Sequence, residues 1–581
     1  MLRRTLLQLA AAAGLATRLT PAKAAQPLRV VVVGAGPAGF SAALELAERG
    51  VSVLLLEAGA QVGGKVKGWT EPIEGVEQDV EHGVHGWWHQ YVHWDDLLRR
   101  HGLLDRLNLP DSKGTFRWPG GEYNTTNGKD FRQFVRLFKD RSRELGYKHF
   151  GIELHQGQRW LRSLTVADAR AQLGGQSVEA WHKAGAPLSL WRVFDAVTSP
   201  SMFFAPTNAV DASEYALAET FYHTGTKHNI DVRWLKGNPQ ELLWAPLSER
   251  LIALGGELRT NAEVYELEIR KGAVLGVRVG QPLPGAQLTD LSEGWNRVDR
   301  DNGLPIYILK EGPHLSALSG RCTHAGCPVD LSEDGFVCPC HGGRFDFAGR
   351  VIDGPPKQPL APLYVEEGAD GVTVEGEGSP EFIPADAVIL ALDGPALGRV
   401  AGEVLPAARK LRPREVAVAR FWLDRDLPAE LGRAAMLEGA DHANNAFLLH
   451  RMQDRARDWA AEHHGAVIEL QASRDLPADR EQTLDRLEAD LRKIYPELAE
   501  AKVLKRTLSH SNTFTAMEPG FFAGSLPVES GVPNLYLAGD HVRLDRNCHF
   551  MEKAVTTGRM AANAVLRRAG LPEAPILPER R

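Results

Sequence analysis

The sequence predicts an α/β protein whose nucleotide-binding sheet is gathered from distant stretches of chain, joined to a mixed α+β domain and interrupted by a small all-β module. Three observations predict this. Leu28 to Val33 is an apolar run followed by Gly34-Ala35-Gly36-Pro37-Ala38-Gly39 and a helical pattern from Phe40 to Arg49. A second apolar run, Asn534-Leu-Tyr-Leu-Ala-Gly539-Asp540, returns to the same kind of strand near the other end of the chain. Between them, cysteine and histidine crowd together as Cys322-Thr-His324-Ala-Gly-Cys327 and Cys338-Pro-Cys340-His341-Gly-Gly. At 581 residues the chain exceeds one ordinary domain, and about two to four are expected.

Apolar content of 43% and charged content of 24% are those of a soluble globular protein. The 67 basic and 74 acidic side chains leave a net charge of −7 with no long basic run, so nucleic acid is not an expected partner. Residues 1–24 combine Arg3-Arg4, an Ala/Leu-rich run and the small-x-small end Ala22-Lys23-Ala24. That order describes an export signal rather than a spanning helix, which needs ~20 apolar residues. Arg3-Arg4 followed by Leu6-Leu7 resembles a twin-arginine signal, which implies a folded protein delivered to the periplasm. The alternative is an uncleaved extension on a cytoplasmic, membrane-associated enzyme. No other segment reads as spanning, so any membrane contact is expected to be peripheral.

The run Leu28–Val33, the G-x-G-x-x-G of Gly34, Gly36 and Gly39, the helix after it and the strand Val51–Leu56 ending in Glu57 form a dinucleotide fingerprint. The glycines admit a pyrophosphate to the helix N-terminus, and Glu57 can bond ribose hydroxyls. This much fits FAD and NAD alike. With Gly63-Gly64-Lys65 and the late Gly539-Asp540, the chain resembles the FAD-dependent amine oxidase and carotenoid (phytoene) desaturase superfamily, with a Rossmann-like FAD-binding domain. The resemblance implies that Gly63 and Gly64 pass close to the flavin and that Asp540 contacts the FAD linker. It puts Glu81 and Gly83 in the place of an acidic-x-Gly FAD contact, with Glu for the usual Asp. It also makes Met551-Glu552-Lys553-Ala554-Val555-x-x-Gly558 the helix whose N-terminal end approaches the isoalloxazine, with Lys553 where the family usually has Gly.

Val264 to Val279 reads as a β-hairpin turning at Lys271-Gly272, with Ala385–Leu392 as its expected partner strand. The Cys/His segment lies between them, as an insertion whose two ends should sit close together. The FAD-binding domain is therefore expected to be discontinuous, over 28–95, 240–280, 380–400 and 525–570. A substrate domain takes 96–239 and 401–524, with helical Asp454–His464, the strand Ala466–Ala472 and a helix near Glu481–Ile494 in its second part. The insertion takes 281–379.

Two thiolates and two imidazoles at this spacing suit zinc, or a 2Fe-2S cluster with histidine on one iron. Together with Arg344-Phe345-Asp346 and Gly354-Pro355-Pro356, the two loops resemble a Rieske domain. By that resemblance Cys322 and Cys338 bind one iron, His324 and His341 the other, and Cys327–Cys340 is a disulfide. Respiratory Rieske domains carry Ser and Tyr hydroxyls where this chain has Gly343 and Phe345, which implies a lower potential. Cys548, the fifth cysteine, reads as a packed thiol near a cofactor rather than a nucleophile.

A flavin takes two electrons as hydride and a Rieske cluster carries one, so the pair suggests a converter between substrate and a one-electron redox partner. No His/Asp/Ser constellation marks an acid–base site, and no catalytic side chain is assigned. The run Glu81-His82-Gly83-Val84-His85-Gly86-Trp87-Trp88 resembles a segment of β-carotene desaturase/methyltransferases of the isorenieratene synthase type. Trp87, Trp88, Tyr91 and Trp94 either line a channel for an apolar small molecule or pack a domain junction, with His85 and His89 as polar partners. The leading expectation is an FAD- and 2Fe-2S-dependent oxidoreductase performing carotenoid-like desaturation. The alternatives are an amine-oxidase-type dehydrogenase feeding a periplasmic carrier, and a non-catalytic electron relay.

Overall fold

A computed structural model describes residues 28–110, 113–119, 121–126, 150–184, 198–224, 231–280, 291–299, 303–312, 314–368, 371–375, 381–477 and 479–580. The expected export signal, 1–24, lies outside the described residues. The central element is a five-stranded parallel sheet in the order Leu535–Leu537, Ala387–Leu390, Arg29–Val33, Ser52–Leu56, Glu257–Arg259. Its inner strands are apolar, Val-Val-Val-Val and Ala-Val-Ile-Leu, because helices and loops cover both faces of such a sheet. Val31 pairs with Leu54 on one side and with Val388 on the other, and is fully buried.

The helix Pro37–Ala47 follows the first strand directly, and its proline sits in the first turn, where no backbone donor is lost. The last helix, Phe550–Ala569, crosses it at Gly558. A Cβ there would lie 2.2 Å from Ala38 O, so only glycine allows this approach. Ser41 Oγ donates to Val555 O at 2.8 Å and ties the two helices together.

The hairpin Val264–Arg270 and Ala273–Val279 turns at Lys271 and Gly272, both in the left-handed region. Its partner differs from the expected Ala385–Leu392. Glu381–Pro384 pairs antiparallel with Ala273–Val279, while Ala387–Leu390 enters the parallel sheet. The physical reason is burial: Ala387–Leu390 is enclosed on both faces, whereas Glu381–Pro384 is largely exposed and suits a sheet edge. The chain leaves this small sheet at Val279 and returns at Glu381, and those two residues are register partners.

Between them, the inserted module is all-β. It has a five-stranded antiparallel sheet, Gly294–Val298, Ile306–Glu311, His314–Ser319, Pro362–Gly368 and Gly371–Glu375. Four short strands follow a second order, Asp330–Ser332, Gly335–Val337, Arg344–Phe345 and Val351–Asp353. Tyr307, Val329, Phe336, Phe345 and Leu360 form its core together with Cys322 and Cys338.

A seven-stranded sheet joins both expected parts of the substrate domain. Its order is Val503–Thr515, Pro413–Leu423, Ala466–Ala472, Ala443–Leu448, Ala434–Leu437, Lys113–Trp118, Gly121–Thr126. The helices Asp454–His463 and Arg480–Ile494 flank Ala466–Ala472 in sequence as read. Among the described residues, no helix is long and apolar enough to cross a membrane.

Candidate functional site

The three fingerprint glycines do different things. A Cβ at Gly34 would meet Ala391 O at 2.5 Å, and one at Gly39 would meet Gly34 O at 1.8 Å. Those two are glycine because protein backbone crowds them. Gly36 is not crowded: a Cβ there meets nothing nearer than Gly64 Cα at 3.7 Å. The protein alone gives no reason for glycine at 36, and a ligand passing between the two glycine loops does. The helix that starts at Pro37 has no side-chain cap, which leaves its N-terminus for an anion. Glu57 stands at the carboxyl end of its strand and accepts from Ala35 N at 3.0 Å and Gly59 N at 2.8 Å. Gly63, at φ 111°, lies under the indole of Trp244, whose Nε1 donates to Val66 O at 2.6 Å.

Opposite this cradle, Lys65, Asp540 and Thr515 form an ionic corner. Lys65 Nζ lies 3.0 Å from Asp540 Oδ2 and 3.2 Å from Thr515 Oγ1, and Thr515 donates to Asp540 Oδ1 at 2.9 Å. Burial pushes the Asp540 carboxyl up, but Lys65 and His541 more than reverse this and hold it well below the usual range. Gly539, at φ 143°, is anchored through its amide to Thr557.

Glu81 and Gly83 face the large sheet. Glu81 accepts from Gln453 and lies 3.8 Å from Arg420 Nη2, while Arg420 bonds Glu469 at 2.7 Å. Burial, only partly offset by Arg420, raises the Glu81 carboxyl to about 8. A Cβ on Gly83 would sit 3.2 Å from Gln471 Nε2. Met551 stands in the first turn of the last helix, where its carbonyl accepts from Trp94 Nε1 at 3.0 Å. The next residue, Glu552, caps the helix Val92–Arg100 through His93 N and Trp94 N.

The aromatic run divides. Trp87 and Trp94 are fully buried and pack edge to face at 5.9 Å, and Trp94 continues to Trp244 at 6.2 Å, so these two build the core. The channel reading fails for them because both faces are enclosed by protein. Trp88 instead touches Tyr222 at 5.0 Å and starts a row that sequence reading missed. Tyr222 stacks on Phe550 at 6.1 Å, Phe550 meets Phe514 at 5.8 Å, and Phe514 meets Phe204 at 4.9 Å. Tyr91 joins through its hydroxyl, 2.9 Å from that of Tyr222. Phe204 and Phe550 have φ of 50° and 47°, a conformation that costs bulky residues about 1–3 kcal/mol and tends to mark functional sites. Phe514 precedes Thr515 in the strand Val503–Thr515. Burial keeps His85 neutral, down to about 4. Cys548 is buried with its sulfur 3.5 Å from Thr556 Oγ1, and burial raises its thiol well above the usual range.

In the inserted module, Cys322 and Cys338 are buried side by side, and the rings of His324 and His341 stand 4.8 Å apart. Both ring nitrogens of His324, and Nε2 of His341, are buried without a hydrogen-bond partner. Burial lowers His324 to about 2, which keeps it a neutral, ligand-competent imidazole. The neighbouring thiols of Cys322, Cys327 and Cys340 hold Cys338 far below the usual thiol range. Orphaned imidazoles beside converging sulfurs fit a cluster. The sulfurs of Cys327, Cys338 and Cys340 lie within 4.8 Å of one another, and all five cysteines are free thiols here.

Three family models match along the chain: an NAD(P)-binding Rossmann-like domain over 32–101, a Rieske [2Fe-2S] domain over 282–364 and a flavin containing amine oxidoreductase over 363–566. The chain thus carries the domains of a flavin containing amine oxidoreductase with a Rieske domain inserted, consistent with the carotenoid desaturase superfamily. This flavoprotein is an oxidoreductase with FAD and a 2Fe-2S cluster as cofactors. It is 28% identical to a carotenoid phi-ring synthase of Chlorobaculum tepidum, over 95% of this chain and 91% of that protein. A carotenoid phi-ring synthase of Streptomyces griseus is 27% identical over 93% and 88%. Cyclohexylamine oxidase from Brevibacterium oxydans has the same fold, with a TM-score of 0.57 at 13% identity over 94% of this chain and all of that one.

The candidate site also includes residues that no motif announced. Thr515, Tyr222, Phe204, Phe514 and Phe550 are single residues in unrelated segments. The one available signal was Phe550 itself, placed beside the expected flavin-facing helix start.

Proposed function

We propose that this flavoprotein desaturates a carotenoid-like polyene and couples the two electrons removed to one-electron transfer through the Rieske cluster. One observation carries the reading. Its similarity to two proteins named carotenoid phi-ring synthases spans more than nine-tenths of the chain, including the inserted module.

FAD would be held by Gly34, Gly36 and Gly39 at the pyrophosphate, by Glu57 at the ribose, and by Gly63, Gly64, Glu81, Gly83, Gly539, Asp540 and Met551 along the linker and ring. Bound FAD accepts a hydride equivalent and the cluster carries single electrons. The protein's part is to orient the substrate and to exclude water. The row Trp88, Tyr222, Phe550, Phe514 and Phe204 offers a long apolar face for a polyene beside the flavin corner. Cys322 and Cys338 are assigned to one iron, His324 and His341 to the other, and Cys327–Cys340 to a stabilising disulfide. Residues 1–24 are assigned to twin-arginine export, and membrane contact to a peripheral surface that delivers the substrate.

Anaerobic incubation with candidate carotenoids and amines tests the function. Carotenoid should bleach the flavin and yield a more unsaturated product. Bleaching by amines alone would replace this reading with amine oxidation. Fusion of residues 1–30 to a reporter should give export that fails when Arg3 and Arg4 both become Lys.

A further inference from the structure

The hairpin Gly68–Ile73 and Val76–Glu81 belongs to the flavin-binding body, yet its open end lies against the cluster loops. Trp69 meets both histidine rings edge-on, at 4.7 Å from His324 and 4.8 Å from His341. The indole is itself fixed, since its Nε1 donates to Glu71 at 2.8 Å and the side chain is buried. Two more contacts pin the same loops from outside the module. Lys67 Nζ donates to Ala325 O at 3.0 Å, and Arg480 donates to Pro339 O at 3.3 Å and to the Cys340 carbonyl.

The same hairpin end also reaches the flavin side. His82 N bonds Lys67 O at 3.1 Å. His82 is partly buried, and the segment that leads from it through Lys67 to the cluster loops begins at Lys65. Lys65 is the partner of Asp540 in the flavin corner.

We propose that Trp69 is a positioning residue that seats His324 and His341 against the flavin-binding body, so that electrons cross internally between flavin and cluster by way of the segment Lys65–Trp69. This rests on the flavin–cluster coupling proposed above. A cluster held by these loops would have its two histidine ligands on the side of the flavin-binding body. With both groups bound, reduced flavin would give up its two electrons one at a time, each reducing one ferric iron to ferrous, and its proton would leave to solvent. A one-electron carrier protein takes the electron from the cluster between the steps. Exposed Gly342 beside partly exposed His341 leaves that carrier a side from which to approach.

In the holoenzyme, light-driven flavin reduction followed by freeze-quench electron paramagnetic resonance gives the rate at which the cluster is reduced. Trp69→Ala is expected to slow that step by about tenfold or more, the scale of outer-shell changes at metal centres, and Trp69→Phe to restore most of it. A redox titration should show a higher cluster midpoint in Trp69→Ala, because water replaces the ring beside a centre that gains negative charge on reduction. A higher midpoint by itself would speed reduction by flavin, so a slower rate can only reflect the lost contact. If Trp69→Ala does not assemble the cluster, Lys67→Met carries the test. It removes the Ala325 contact, and should slow transfer and raise hydrogen exchange in residues 322–327. Unchanged transfer in an assembled Trp69→Ala, or in Lys67→Met if that variant carries the test, overturns the route. A wild-type cluster that stays oxidised beside fully reduced flavin overturns the coupling itself.

Discussion

The flavin cradle and the cluster loops both hold a redox group, and they are built from opposite materials. The cradle is backbone. It is made where Gly36 and Gly64 approach each other and where Gly34 and Gly539 follow strands that lie hundreds of residues apart in the chain. The loops are side chains, four sulfurs and two imidazoles within residues 322–341. Backbone can be specified only by what is missing, a Cβ, so the cradle should fail by shape. The loops should fail by chemistry.

The largest effect should come from separating the two groups. Cys338→Ser should remove the cluster's visible absorption and its iron while FAD stays bound, since the module has its own core. Gly36→Val should do the reverse, because a side chain there meets the pyrophosphate and not the protein. Iron and flavin analysis of each purified variant decides this, and joint loss in either one would break the comparison.

Within the cradle, Gly39→Ala and Gly36→Ala should differ sharply in thermal stability of the FAD-free protein. The first drives a methyl to 1.8 Å from Gly34 O and should cost about 3 kcal/mol or more, whereas the second should cost little. Equal melting temperatures would show that the glycine spacing is not set by contact.

Glu81 offers a test by pH. Its folded value of about 8 lies above the ordinary 4.5, so between those values the folded state holds a proton that the unfolded state has lost. Stability should therefore fall as pH rises from about 5 to 8, by up to a few kcal/mol. Glu81→Gln should match wild type near pH 5 and exceed it above pH 8. Parallel melting curves across that range would mean that Glu81 is already ionised in the fold.

The smallest effect concerns the cluster's potential. Phe345→Tyr should raise it, because a donor beside the sulfurs stabilises the reduced state, from a starting value in the lower part of the roughly −150 to +300 mV Rieske range. Gly343→Ser should raise it too, but less cleanly. A Cβ at 343 would press to 2.6 Å from Pro356 Cγ, so the loop must shift. A wild-type midpoint near the top of that range would remove the argument.

What the sequence revealed follows the same division. The cluster ligands were legible because their spacing is local. The first glycines were legible because a strand, a loop and a helix follow one another without interruption. The strand beside the hairpin was misread because Ala385–Leu392 looked stronger than Glu381–Pro384. A run buried on both faces, Ala387–Leu390, is the mark of a parallel sheet rather than of a hairpin edge. Trp69 was not legible at all. Nothing in Gly-Trp-Thr-Glu says that its ring will cover two histidines some 250 residues away, since that depends on how the module docks.

The place of Ala387–Leu390 beside the central strand of the parallel sheet also sets an order of events on the ribosome. Arg29–Val33 emerges early, but its neighbour on that side is made only after roughly 350 more residues, the cluster module included. At translation rates of roughly 5–20 residues per second, that strand waits about 20–70 s with one edge unpaired. A naked Val-Val-Val-Val edge is the kind of surface that other nascent chains can join. Chaperone dependence during synthesis is therefore expected to centre on the first strand, and to ease once the inserted module has been translated.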